Sequence, residues 1–159
     1  MTSSKYYDLE FIPTIGCYYL SIFLEECGND YISLYKIFLI FPLFYDTHFL
    51  KYLIKKRKTQ DFSKIIANYN KEIKNKNFWL DYNTRYSNSK RYCYESLHFG
   101  IISKVFIISV YGIKLDRVLS KEIPIDIDFK IEALRKLGHM IKKIKIEDLV
   151  ILMKIGEKK

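Results

Sequence analysis

The stretch Tyr31-Ile-Ser-Leu-Tyr-Lys-Ile-Phe-Leu-Ile-Phe-Pro-Leu-Phe-Tyr45 is the most apolar part of the chain, and its reading decides the fold. A membrane-spanning helix needs ~20 predominantly apolar residues. The run Ile37–Tyr45 has only nine, and Lys36, Pro42, Asp46 and His48 interrupt the longer stretch. The segment therefore reads as a buried core helix. Pro42 should end or kink it, because proline lacks an N–H and its ring clashes with the preceding turn. Asp46 is a good N-cap for a following helix through Phe49, Leu50, Leu53 and Ile54 to Lys58.

On the N-terminal side, Pro13 suits a first helical turn. Ile15, Tyr18, Tyr19, Ile22 and Phe23 recur at 3–4 spacing, and Gly28-Asn29-Asp30 ends the pattern, so a helix is predicted over 14–27. Glu25 and Glu26 oppose the helix dipole there and call for basic partners or water. On the C-terminal side, Phe62, Ile65, Ile66, Tyr69 and Ile73 mark another amphipathic helix, followed by a break at Asn75-Lys76-Asn77. A helix from Leu80 to about Ser103 has few breakers, although Asn83, Ser87, Asn88 and Ser89 weaken its first half. Lys104–Val110, a Tyr111-Gly112 turn and Ile113–Val118 form a predicted β-hairpin. Ile123, Ile125, Ile127, Phe129 and Ile131 alternate, as in a third strand or an extended lead into a helix. Leu134, Leu137, Met140 and Ile141 return to helical spacing. Ile146–Ile155 reads as a last short helix stopped by Gly156.

The expected fold class is α+β, mainly helical. One domain over 1–159 has an N-terminal helical part (1–78) and a helix–hairpin–helix–helix part (79–159) in a winged-helix-like arrangement, in an unusual order. The composition, 49% hydrophobic and 16% aromatic, suits a packed core rather than a disordered chain. The three cysteines, at 17, 27 and 93, form no CxxC, and the first ten residues show no signal or transit peptide. A reducing cytoplasm is the expected setting.

The net charge is +9, and it is unevenly placed. Residues 1–30 carry −4, 31–50 cancel, 51–94 carry +9 and 95–159 carry +4. Such asymmetry favours an acidic partner, nucleic acid first. The candidate nucleic-acid contacts are Lys51, Lys55, Lys56, Arg57 and Lys58, then Arg85, Lys90 and Arg91, with Tyr82, Tyr86 and Tyr92 interleaved. Lysine and arginine neutralise phosphates, and tyrosine stacks on bases or hydrogen-bonds to phosphate. A second cluster is Arg135, Lys136, Lys142, Lys143 and Lys145. The bland reading is a lysine-rich chain that uses these groups to solvate its surface.

Catalytic chemistry is sparse. The six glycines form neither GxGxxG nor GxxxxGK[ST], so no cofactor is expected. His48, His98 and His139 with the three cysteines make no zinc spacing. Cys93 and His98 could be drawn as nucleophile and base, but a spacing of five puts them on different helix faces. Asp128-Phe129-Lys130 with Asp116 matches the metal-dependent nuclease pattern PD-(D/E)xK, in which two carboxylates hold the metal and lysine assists the attacking water. A helix start at Asp126 or Asp128 explains the same acids as caps.

The order of features resembles a known family. Phe38-Leu-Ile-Phe-Pro-Leu-Phe44 follows an N-terminal helix. Near the end come Ala133-Leu-Arg-Lys-Leu-Gly138 and Ile146-Glu-Asp-Leu-Val-Ile-Leu-Met-Lys-Ile-Gly156. This is similar to the small middle component of bacterial three-component ABC ATPase systems, including the C subunit of Lamassu-type antiphage defence. Met153-Lys154-Ile155 stands where that family more usually has a Leu-Gly pair. The resemblance implies a non-catalytic accessory subunit in a hetero-oligomer with an SMC-like ATPase and a nuclease effector. It also implies that the subunit helps couple the sensing of foreign DNA to effector release, which makes double-stranded DNA an expected partner. Trp79, Tyr82 and Tyr86 are the candidate partner anchors, as aromatic side chains favour interfaces. The alternatives are a stand-alone winged-helix-like DNA-binding regulator, the small nuclease, and a peripheral membrane protein using residues 37–45. No membrane contact is expected.

Overall fold

The computed structural model describes residues 12–72, 78–119 and 128–153, with the side chains of 78–80 and 128 excepted. The elements are α1 (Pro13–Cys27), α2 (Leu34–Ile40), a 3-10 helix (Phe41–Tyr45), α3 (Thr47–Ile54), α4 (Phe62–Glu72), α5 (Phe78–Ile102), β1 (Phe106–Ser109), β2 (Gly112–Leu115), α6 (Asp128–Ile141) and α7 (Ile146–Leu152). The class is α+β and mainly helical, as expected. The break at 75–77, Ile73, Ile123–Ile127 and Ile155-Gly156 lie outside the described residues.

Helix α1 is the axle of the structure, with α5 and α6 packed along it. Its sequence from Cys17 to Leu24 has one polar side chain, Ser21, and the whole run is buried. Ser21 Oγ satisfies itself locally, donating to the Tyr18 carbonyl at 2.7 Å. Pro13 sits in the first turn, and Gly28 leaves the helix at φ 76°, a conformation that costs glycine nothing.

Pro42 acts as expected. It removes an α-helical donor, and Phe41–Tyr45 tightens into a 3-10 helix. That turn drives four apolar side chains inward. The Phe41 ring lies 5.4 Å from Phe44, 5.5 Å from Tyr45 and 5.5 Å from Tyr92 of α5, and Phe23 of α1 closes on Phe44 at 5.7 Å. Asp46 then caps α3, with Oδ1 accepting from the Phe49 N–H at 3.0 Å. The two halves of the apolar stretch, Leu34–Tyr45 and Thr47–Ile54, meet at 93°. Among the described residues, no single helix is long and apolar enough to cross a membrane.

Helix α3 ends at Ile54, four residues before the expected end at Lys58. The amides of Lys55 and Lys56 turn back to Tyr52 and Leu53, and the Lys136 ammonium of α6 donates to the Ile54 carbonyl. An ammonium arriving from a distant helix does the work of a C-cap. Helix α5 runs through its Ser- and Asn-rich half because Tyr82, Ser89, Tyr92, Cys93, Ser96 and Leu97 all face the core. Burial overrides the local preference.

The hairpin pairs Phe106 with Leu115 and Ser109 with Gly112. Ile32 joins it, exchanging both backbone hydrogen bonds with Ile113 at 2.8 and 2.9 Å. The alternation into 131 does not continue as a strand, since Phe129 and Ile131 lie in α6. From Lys130 onward, the helical set Ala133, Leu134, Leu137 and Ile141 is fully buried, and helical burial wins.

All three cysteines are reduced and buried. Burial pushes the Cys17 and Cys27 thiols up to about 12, and it also raises Cys93. The thiolate is the reactive form. Native protein at pH 8 is therefore expected to react with a thiol reagent at least ~100-fold more slowly than protein in urea. Rapid labelling of any one thiol would show that its helix opens easily.

Candidate functional site

The fold regroups the basic residues. Lys55, Arg57 and Lys58 leave α3 on an exposed turn, and Lys51 lies exposed one turn earlier with its Nζ 5.5 Å over the Phe129 ring. Lys56 folds back, 4.1 Å over the Tyr52 ring and 3.8 Å from Glu72. Lys58 lines a cavity of about 180 Å³ together with His139, Met140 and Lys143. The 51–58 cluster thus meets the 135–145 cluster, which sequence order kept apart. Burial, then the charges of Lys143, Lys142 and Lys58, holds the His139 imidazole below its usual range.

Part of the positive charge is structural. Three lysines reach across the fold to carbonyls at helix C-termini. Lys36 Nζ donates to Ile141 O of α6 at 3.3 Å, Lys142 Nζ to Glu26 O of α1 at 3.1 Å, and Lys136 to Ile54 O of α3. These carbonyls have no partner inside their own helices and carry the negative end of the dipole. The two acids ending α1 are also met from within, Glu25 by Arg135 and Glu26 by Lys58, each at 3.8 Å. Outward on this side stands a ridge of Lys55, Arg57, Lys143 and Lys145, with Lys58 exposed beside it but shared with Glu26.

Arg85, Lys90 and Arg91 do not belong to that ridge. Arg85 is bonded to the buried Asp46 carboxylate at 2.8 Å. Arg91 pairs with Glu95 at 2.8 Å, and Lys90 lies 4.6 Å over the Tyr86 ring. Lys90, Arg91 and Tyr86 line an open groove of about 420 Å³ with Tyr35, Phe38 and Tyr94. Of the three expected anchors, Tyr86 faces this groove. Tyr82 does not. It is 1% exposed, donates its hydroxyl to the Leu39 carbonyl and stacks on Tyr86 at 6.2 Å, so the core has taken it. The Trp79 side chain lies outside the described residues.

The sequence reading missed one surface. Ile102, Ile107, Ile108 and Val110 are exposed at the end of α5 and along the hairpin, Val110 at 94%. The turn is Val110-Tyr111, one residue before the expected Tyr111-Gly112, and the signal was present: Val110 stands exposed where Asn, Asp or Gly is favoured.

The family model for the ABC-three component (ABC-3C) system Middle Component 3 matches residues 2–156. The chain belongs to that family. No curated protein and no solved structure matches it. As a middle component of a three-component ABC system, it has partner subunits by definition of the system. The features that suggested the family have structural work in this middle component. Pro42 builds the 3-10 turn, Ala133 and Leu137 are buried in the core, and Gly138 lets α6 approach α1.

The nuclease pattern is not assembled in this middle component. Lys130 sits in the first turn of α6, is 3% exposed and lies 5.3 and 5.9 Å over the Tyr19 and Tyr45 rings, while Asp116 is exposed beyond β2. The strand geometry that would aim Asp128 and Lys130 at one metal is replaced by helix. Cys93 is buried, whereas His98 is exposed and stacks on Tyr94, on another face of α5. Among the described residues, no group of three His, Cys, Asp or Glu side chains is placed to hold a metal.

Proposed function

We propose that this chain is the non-catalytic accessory subunit of its ABC system, bridging an SMC-like ATPase and a nuclease effector in a cytoplasmic, Lamassu-type antiviral complex. The observation that carries this reading is the exposed apolar set Ile102, Ile107, Ile108 and Val110. A chain that exposes aliphatic side chains on a hairpin gains by covering them with a partner. The Tyr35–Tyr86–Tyr94 groove offers a second contact of different character, matching two partners on one small subunit. Ile108→Lys with Val110→Asp is expected to abolish co-purification with the ATPase subunit, at least ~10-fold loss, while the melting temperature stays put. Undiminished co-purification would remove the hairpin from the interface.

The ridge supports a second element of the reading, contact with duplex DNA. Its cations Lys55, Arg57, Lys143 and Lys145 are exposed and bear no base-reading element, which suits phosphate contact without sequence choice. With about four phosphates engaged, affinity should fall roughly 100-fold between about 50 and 200 mM salt. Arg57→Glu and Lys143→Glu should each weaken binding and flatten that slope. Affinity indifferent to salt would leave the ridge as solvated surface.

A further inference from the structure

A second cavity, about 450 Å³, opens between the α1–α2 loop, the hairpin turn and the α6–α7 turn. Its volume lies within the ~300–1,000 Å³ typical of small-molecule sites. Lys36, Lys142 and Lys143 line it, from two distant places in the chain, with Asp30 as the opposing carboxylate. Lys36 and Lys142 are not loose surface lysines. Each is held by one bond to a helix-terminal carbonyl, Ile141 O at 3.3 Å and Glu26 O at 3.1 Å. An ammonium has three N–H donors, so each keeps two for another acceptor. Holding the stem from behind removes much of the entropy cost of fixing a long side chain on a ligand.

The other walls are aromatic. Tyr31 and Tyr111 also line the cavity, their rings 6.5 Å apart and inclined at 51°. Lys114 lies 5.0 Å over the Tyr31 ring and adds a further positive charge beside it. Bare phosphate would use the ammonium end and leave the rings idle. A planar base carried on a phosphate uses both, since bases stack on tyrosine rings.

We propose that this cavity is a binding site for a free mononucleotide. The phosphates sit between Lys36, Lys142 and Lys143, and the base lies against Tyr31 and Tyr111. The site borders the proposed partner surface at Tyr111, beside Val110, and nucleotide binding does not require a partner. It shares Lys143 with the basic ridge, so the test must part nucleotide from DNA.

The experiment is calorimetric titration of the full chain, at low ionic strength, with AMP, ADP, ATP, inorganic phosphate and a 5′-phosphorylated single strand. The expected result is nucleotide binding at least 10-fold tighter than inorganic phosphate. Lys143→Glu should weaken it at least 10-fold. Tyr111→Ala, at the cavity rim, should erase the preference over phosphate. Arg57→Glu lies on the ridge outside the cavity and should leave nucleotide affinity unchanged while weakening duplex binding. Lys36 and Lys142 are left intact because they also hold helix ends, and circular dichroism confirms that each variant is folded. Equal affinity for phosphate and nucleotides, binding of the strand alone, or no effect of Lys143→Glu and Tyr111→Ala would each overturn the proposal. Absence of any heat with ATP and folded wild-type protein would do the same.

Discussion

Gly138→Ala is expected to destabilise the chain by about 3 kcal/mol, and Gly138→Val by more. Two effects oppose each other here. Alanine in place of a helical glycine gains ~1 kcal/mol of helix propensity. Against that, a Cβ on residue 138 would lie 2.4 Å from the Phe23 carbonyl oxygen and 3.1 Å from Glu26 Cβ. The first contact is with backbone, in the helix that everything else packs on, so it cannot be relieved by rotating a side chain. The only escape is to move α6 off α1, which uncovers Leu134, Leu137 and Ile141. Packing therefore outweighs propensity. Urea unfolding of Gly138→Ala gives the sign directly: a midpoint above wild type would mean that the two helices separate cheaply.

Asp46→Ala carries the second large effect, again about 3 kcal/mol. The side chain does two things at once. Oδ1 caps α3 through the Phe49 N–H at 3.0 Å, and Oδ2 holds Arg85 at 2.8 Å. Loss of the cap costs about 1 kcal/mol. The remainder comes from leaving the Arg85 guanidinium without its carboxylate. That part is held to a modest size because the Arg85 side chain is 35% exposed and water can take over some of the bond. Asp46→Asn separates the two contributions, since it keeps a capping oxygen but loses the charge, and it should lose about half as much. Asp46→Asn as unstable as Asp46→Ala would assign nearly all of the effect to the ion pair, and wild-type stability would assign it to the cap.

Features written in local sequence were legible. Pro13, Gly28, Pro42 and Asp46 punctuate helices by backbone chemistry that acts within a few residues. The 3.6-residue pattern of α4 and the later part of α6, and the presence of a hairpin, follow from short-range spacing, but its turn lies at Val110-Tyr111 rather than the expected Tyr111-Gly112. The site was less legible because its grouping is long-range. The three lysine–carbonyl bonds join residues 82 to 116 positions apart. Nothing near Lys136 says that it will end α3, so α3 was read as running to Lys58. Lys58 and Lys143 share a cavity for the same reason, while Arg85 was drawn away by a buried carboxylate. Tyr82 carries the same side chain as Tyr86 one turn away, and only the position of the Leu39 carbonyl separates core from groove.

The right-angled corner at Pro42–Asp46 sets how far the apolar stretch can reach in one direction. As one straight helix, Leu34–Ile54 would be ~31 Å long, close to the ~30 Å hydrocarbon core of a bilayer. Its length and composition alone meet the demands of a span. Bent by 93°, its longer arm reaches only ~18 Å. The corner thus divides the apolar stretch into two arms, each shorter than the hydrocarbon core and each packed inside the fold.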